Sequence, residues 1–104
     1  NFIVETLATM VFLLGIFLLK PADSDLGALS ALPVALLVGG IGFGLGGPTG
    51  WAVNPARDLG PRIMHFILPI KGKGSSDWGY AAVPVLGPIV GGILAAIIYV
   101  QFLQ

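Results

Sequence analysis

The sequence predicts an all-α membrane protein with three transmembrane helices and, between the second and third, one shorter helix. Three observations carry that prediction. Of 104 residues, 56% are hydrophobic and only 10% charged, against about 25% charged in ordinary globular chains, and mean hydropathy is +0.96. The apolar residues gather in three long runs. Between the last two runs, Asn54-Pro55 spells out a helix start in a segment too short and too charged to cross a bilayer.

The first run covers residues 2–19, where the only polar side chains are Glu5, Thr6 and Thr9. At 1.5 Å per residue it is roughly 27 Å long, close to a hydrocarbon core of about 30 Å. Lys20-Pro21-Ala22-Asp23-Ser24-Asp25 ends it, gathering a cation, a helix breaker and two turn-forming acids as water-exposed loops do. The second run, 29–47, carries Gly39, Gly40, Gly42, Gly44, Gly46 and Gly47 in its second half, so one face must pack or open unusually closely. The third, 80–103, spans about 36 Å if fully helical and can cross with tilt. Its Pro84 and Pro88 are tolerable where neighbours satisfy the freed carbonyls. The shorter helix, over about 54–66, is either a re-entrant half-helix or a surface helix. Residues 72–77 read as an exposed, flexible connection.

Three spans put the two termini on opposite sides of the bilayer, and no repeat is visible within the chain. It reads as half of an assembly, whose partner half lies upstream or on another chain. Asn1 and the absence of a basic region ahead of the first apolar run point to a mature membrane protein entered partway along.

Composition also excludes functions. Five basic residues (Lys20, Arg57, Arg62, Lys71, Lys73) cancel five acidic ones, leaving no footprint for nucleic acid. There is no cysteine and one histidine, His65, which removes disulfides, thiolate or two-histidine metal sites and a cysteine nucleophile. Gly42-Phe43-Gly44-Leu45-Gly46-Gly47 formally matches a dinucleotide fingerprint, but it ends an apolar span without the strand-turn-helix setting the motif needs. Ser75 and Ser76 lie in a polar loop with no nucleophile elbow. No cofactor, no metal and no catalysis are expected.

Asn54-Pro55-Ala56-Arg57-Asp58 carries the function. Asn is a preferred N-cap, and Pro fits the first helical position because its missing N–H would be an orphan there. If the Asn54 oxygen caps the helix, its NH₂ remains as a pair of donors beside the positive end of the helix dipole and Arg57. Such a cluster holds the oxygen of a neutral molecule and repels a cation. Arg57 lies between two apolar spans, where an unpaired guanidinium is costly and function is the default reading.

The run from Gly47 to Arg62, Gly-Pro-Thr-Gly-Trp-Ala-Val-Asn-Pro-Ala-Arg-Asp-Leu-Gly-Pro-Arg, resembles the second Asn-Pro-Ala loop of the major intrinsic proteins, specifically the aquaglyceroporin or glycerol facilitator branch. The likeness extends from Glu5 to Val83-Pro84-Val85-Leu86-Gly87-Pro88. It implies an aquaporin-like right-handed helical bundle, of which these residues are the C-terminal half: three transmembrane helices plus one re-entrant half-helix. The family builds its pore from two inverted halves meeting near the midplane, so the N-terminal half with the other Asn-Pro-Ala motif is an implied partner, together with the lipid bilayer and a homotetramer of complete subunits.

By position, the resemblance makes Asn54 the pore asparagine, Arg57 the arginine of the outer constriction and Trp51 an aromatic wall of it. Gly42 falls at a constriction position that is glycine in glycerol facilitators and usually histidine in water-selective members. Asp58, Arg62 and Pro84 also match the glycerol branch, with Pro55 and Ala56 completing the motif. Trp51 stands where many facilitators have phenylalanine, Pro48 sits one place later than usual, and Val85 replaces a commoner leucine.

The chemistry of a polyol agrees: its alkyl face needs an apolar wall, supplied by Trp51, and its hydroxyls need donors, supplied by Asn54 and Arg57. Carbonyls of Thr49, Gly50, Trp51, Ala52 and Val53 would add acceptors, because irregular backbone at membrane depth lines cavities. Gly42 would leave room for a carbon skeleton. Glu5, costly inside a span, is implied to accept hydrogen bonds from loop backbone as a structural strut. Asp58 is either an ion partner of Arg57 or a helix-start charge, and His65 a pore-mouth or packing residue. Counting cations would put residues 48–78, with four of the five Lys/Arg, in the cytoplasm; the family topology puts them outside.

The expected function is a passive channel for glycerol and other small neutral solutes, with water permeability, in a multi-pass cell membrane, by resemblance a bacterial plasma membrane. The alternatives are a water-selective aquaporin and half of a broken-helix secondary transporter, which would need coupling-ion ligands absent from the sequence.

Overall fold

A computed structural model describes residues 1–19 and 26–104, which form helices and connections without a strand. The predicted loop from Lys20 to Asp25 lies outside the described residues.

Helix α1 is Phe2–Leu18, 17 residues long. A 3₁₀ turn, Gly27–Ala31, leads into α2, Leu32–Leu45. Pro33 falls at the start of α2, where no N–H is needed. Helix α3 is Pro55–Ile67 and α4 is Ala82–Ile98, the latter continued by a π turn, Tyr99–Leu103. The second predicted run thus begins at Gly27 and stops at Leu45, with Gly46 as the C-cap and Gly47 to Thr49 turning.

Two helical segments are long and apolar enough to cross a membrane, Gly27–Leu45 with 19 residues and Ala82–Leu103 with 22. Helix α1 is equally apolar but shorter.

The core is the crossing of α1 and α4, the most extensive contact between elements. Glu5, Thr6, Ala8 and Thr9 of α1 and Pro84, Gly87, Pro88, Gly91 and Ala95 of α4 are buried. Glycine makes this approach possible: a β-carbon at Gly87 would stand 2.9 Å from Glu5 Cβ, and one at Gly91 2.3 Å from the Thr6 carbonyl oxygen. The Tyr80 carbonyl that Pro84 cannot serve accepts from the Val83 N–H at 2.9 Å, so the proline is accommodated by a tightened turn. Phe17 and Tyr99 meet at the far end, ring centroids 5.0 Å apart. By contrast α2 buries only Ile41 and leaves Leu36 and Phe43 exposed.

Candidate functional site

The loop between α2 and α3 is where the backbone leaves its ordinary range. Gly50, Trp51 and Val53 have φ of 71°, 62° and 42°. Glycine adopts this left-handed region freely, whereas a tryptophan and a β-branched valine resist it at a cost of about 1–3 kcal/mol each. Glu5 holds them there. Its carboxylate, 1% exposed, accepts the Ala52 N–H at 3.2 Å on Oε1 and the Val53 N–H at 2.7 Å on Oε2. Thr49 Oγ1 accepts the Trp51 N–H at 3.3 Å, and the Gly50 N–H returns to the Gly46 carbonyl at 2.8 Å.

Asn54 then starts α3 with extended backbone, φ −157° and ψ 121°. Its Oδ1 accepts the N–H of Ala56 at 2.9 Å and of Arg57 at 3.3 Å, with Pro55 in the first helical turn. The Nδ2 of Asn54 donates to no group among the described residues and is left as a pair of donors at the helix start.

Arg57 folds back over the loop. Its Nη1 donates to the carbonyls of Trp51 and, at 3.4 Å, Ala52, and its guanidinium carbon lies 5.2 Å from the centre of the Trp51 ring, within cation–π range. One lone pair on each of these two carbonyls is therefore engaged. The carbonyls of Thr49, Gly50 and Val53 accept nothing among the described residues.

Gly42 packs against the Trp51 indole and also borders an open hollow. A β-carbon at position 42 would stand 2.9 Å from both Cδ2 and Cε2 of Trp51, and one at Gly46 would meet Trp51 Cβ at 3.0 Å and the Gly42 carbonyl at 2.3 Å. Gly42 and Gly46, one helical turn apart, form a seat into which the large ring is recessed. Gly46 was not singled out as a site residue from sequence, although its spacing of four from Gly42 was the available signal. Trp51, with Gly39, Gly42 and Phe43, borders an apolar hollow of about 170 Å³. The indole Nε1–H is buried without an acceptor among the described residues.

Asp58 does not pair with Arg57. It binds Arg62 one turn on, with Nε–Oδ2 and Nη2–Oδ1 both at 2.8 Å, since side chains at i and i+4 share a helix face and adjacent ones do not. Asp58 also complements the helix dipole from the first turn of α3. Arg62 reaches further, donating from Nη1 to the carbonyls of Ser76 and Asp77.

The connection 72–77, expected to be flexible, is exposed but tied to α3. Lys73 Nζ donates to the carbonyls of His65, Phe66 and Leu68, satisfying the last turn of the helix. His65 Nε2 donates to the Lys73 carbonyl at 3.0 Å, and Nδ1 lies 2.7 Å from the Ser76 hydroxyl. These contacts tie His65 to the connection that follows α3. The signal that sequence offered was a lysine shortly after an amphipathic helix. Between α3 and this connection lies an open cleft of about 370 Å³, bordered by Arg57, Asp58, Arg62, His65, Ser76 and Asp77.

Glu5, Trp51, Ala52, Val53, Asn54, Arg57 and Gly42 are thus one connected cluster. Pro84 is not part of it; fully buried in the first turn of α4, it belongs to the helix crossing.

Residues 1–99 match the family described as Major intrinsic protein. The chain is 52% identical over 99 residues to a probable glycerol uptake facilitator protein of Thermotoga maritima, covering 95% of this chain and 42% of that protein. It is 52% identical over 102 residues to the glycerol uptake facilitator protein of Streptococcus pneumoniae, covering 98% of this chain and 43% of the relative. To the glycerol uptake facilitator protein of Bacillus subtilis it is 52% identical over 99 residues, covering 95% and 36%. The chain therefore spans less than half the length of these curated relatives, and no solved structure matches it significantly. With a family match over nearly its whole length and a helical, apolar architecture, the chain belongs to the major intrinsic protein family, whose glycerol facilitators are channels and not enzymes.

Proposed function

We propose that this chain is the C-terminal half of a passive channel for glycerol and other small neutral solutes, with water permeability. In this reading α1, the extended α2 and α4 cross the bilayer as part of a right-handed bundle, and α3 is a re-entrant half-helix entering from one side. At 17 residues, α1 is about 26 Å long and within the range that spans. An upstream half with a second Asn-Pro-Ala motif completes the pore, and complete subunits assemble as homotetramers in a bacterial plasma membrane.

The observation that carries this reading is the side-by-side placement of an apolar wall and donors. The Trp51 indole, seated on Gly42, lies under the Arg57 guanidinium, and the free donors of Asn54 stand at the next helix start. A polyol needs both surfaces at once. The unengaged carbonyls of Thr49, Gly50 and Val53 supply acceptors along the same path, and Arg57 with the α3 dipole opposes cations. The names of the three facilitator relatives given above point to the same solute.

The test is stopped-flow light scattering on liposomes holding the full-length protein, under separate glycerol and sucrose gradients. Glycerol entry well above the empty-liposome rate with low activation energy is expected. Fast water with glycerol at the empty-liposome rate would move the protein to the water-selective class, and saturable flux coupled to an ion gradient to the transporters.

A further inference from the structure

Two peptide groups of the loop carry a charge on each side. The peptide joining Trp51 to Ala52 donates its N–H to Glu5 Oε1 at 3.2 Å and receives Arg57 Nη1 on its carbonyl. The peptide joining Ala52 to Val53 donates its N–H to Glu5 Oε2 at 2.7 Å and receives the same Nη1 on its carbonyl at 3.4 Å. The carboxylate polarises each group from one end and the guanidinium from the other, so each hydrogen bond strengthens the one across the peptide. Glu5 is 1% exposed and makes no direct ion pair among the described residues. A carboxylate so buried needs compensation, and these two peptides connect it to a cation 52 positions along the chain.

We propose that Glu5 is a positioning residue for Arg57, fixing the guanidinium over Trp51 through these two peptide groups as well as bracing the loop. Arg57 cannot then turn away from Trp51 without weakening both bonds to Glu5, and the site's charge and its aromatic wall are set together. The transport readout below rests on the channel reading, whereas the exchange readout does not.

In the full-length protein, Glu5→Gln keeps the shape but turns one acceptor oxygen into a donor facing an N–H. Losing one charge-assisted bond should raise methylammonium permeability relative to glycerol by about tenfold in proteoliposomes. Arg57→Ala should raise it at least as much, and Glu5→Gln added to Arg57→Ala should raise it no further. An equal rise in both backgrounds, or none in either, overturns the proposal. If Glu5→Gln does not fold, amide hydrogen exchange in Arg57→Ala decides. Protection of the Ala52 and Val53 amides should fall about tenfold with that of Ala8 in α1 unchanged. Unchanged protection at 52 and 53, or an equal fall throughout α1 and α4, overturns it. Wild-type glycerol flux at the empty-liposome rate would instead refute the channel reading and leave the exchange result standing.

Discussion

Adding one carbon at position 42 should change solute discrimination by moving Trp51. In Gly42→Ala the new methyl would stand 2.9 Å from Cδ2 and Cε2 of the indole, where carbon–carbon contact is favourable only at about 3.5–4.0 Å. The ring must retreat by about 0.6 Å or more. It cannot do so cheaply, because its backbone is held at φ 62° between Thr49 and Glu5. A retreat into the hollow it shares with Phe43 would carry the ring into the proposed solute path. Overpacking of this size costs about 1–3 kcal/mol. If that cost falls on the passage of a carbon skeleton, glycerol flux should drop by about tenfold or more, with water flux reduced far less. Gly42→His should do the same more strongly. Trp51→Ala, which empties the seat without placing a β-branched side chain at φ 62°, should restore glycerol flux in the Gly42→Ala background. Stopped-flow glycerol and water permeabilities of the full-length protein measure all three variants. An unchanged glycerol-to-water ratio in Gly42→Ala would falsify the seat as the determinant of aperture.

Other substitutions separate support from selectivity. Asn54→Asp keeps an acceptor for the Ala56 and Arg57 N–H groups but removes the NH₂ donors and adds a negative charge. Thermal stability should hold while glycerol flux falls and small cations enter; a stable variant with wild-type selectivity would show that those donors do not face the path. Asn54→Ala should instead cost about 0.5–2 kcal/mol through the lost cap, read as a lowered melting temperature. Gly91→Ala places a methyl 2.3 Å from the Thr6 carbonyl and should destabilise the α1–α4 crossing by about 1–3 kcal/mol, again read by thermal unfolding in detergent. Lys73→Met removes three donors from the end of α3; exchange of amides in residues 72–77 should quicken without a change in solute discrimination.

How much the sequence disclosed depended on the range of each interaction. The helices were legible because apolar length and the Asn54-Pro55 start are local properties, and α3 begins at Pro55 and ends at Ile67, close to the predicted 54–66. Partners were harder to read. Asp58 had two cationic neighbours in sequence, Arg57 and Arg62, and helix geometry selects the one four residues away. The tie between Lys73 and the end of α3 was hidden because residues 72–77 are rich in glycine and serine, a composition that reports turning and not anchorage. Glycine in a sequence marks both empty space and close contact, and Gly42 has both, with the Trp51 ring against it and a hollow beside it.

Glu5 is the clearest instance of meaning that no local window contains. A loop with Trp51 and Val53 in left-handed conformations does not hold itself, and the N–H groups that would drive it back toward extended backbone point at a carboxylate from α1. That carboxylate is in place because α1 lies against α4, with Gly87 leaving room for Glu5 Cβ. The geometry of Trp51 and Arg57 is therefore conditional on a helix crossing that reaches them through the Glu5 carboxylate. Weakening the crossing should loosen the loop before it unfolds the helices. In Gly91→Ala, exchange at Ala52 and Val53 should accelerate at temperatures where the amides of α4 are still protected. Simultaneous loss of protection in the loop and in α4 would mean that the two form one cooperative unit and that the loop has no separate stability to lose.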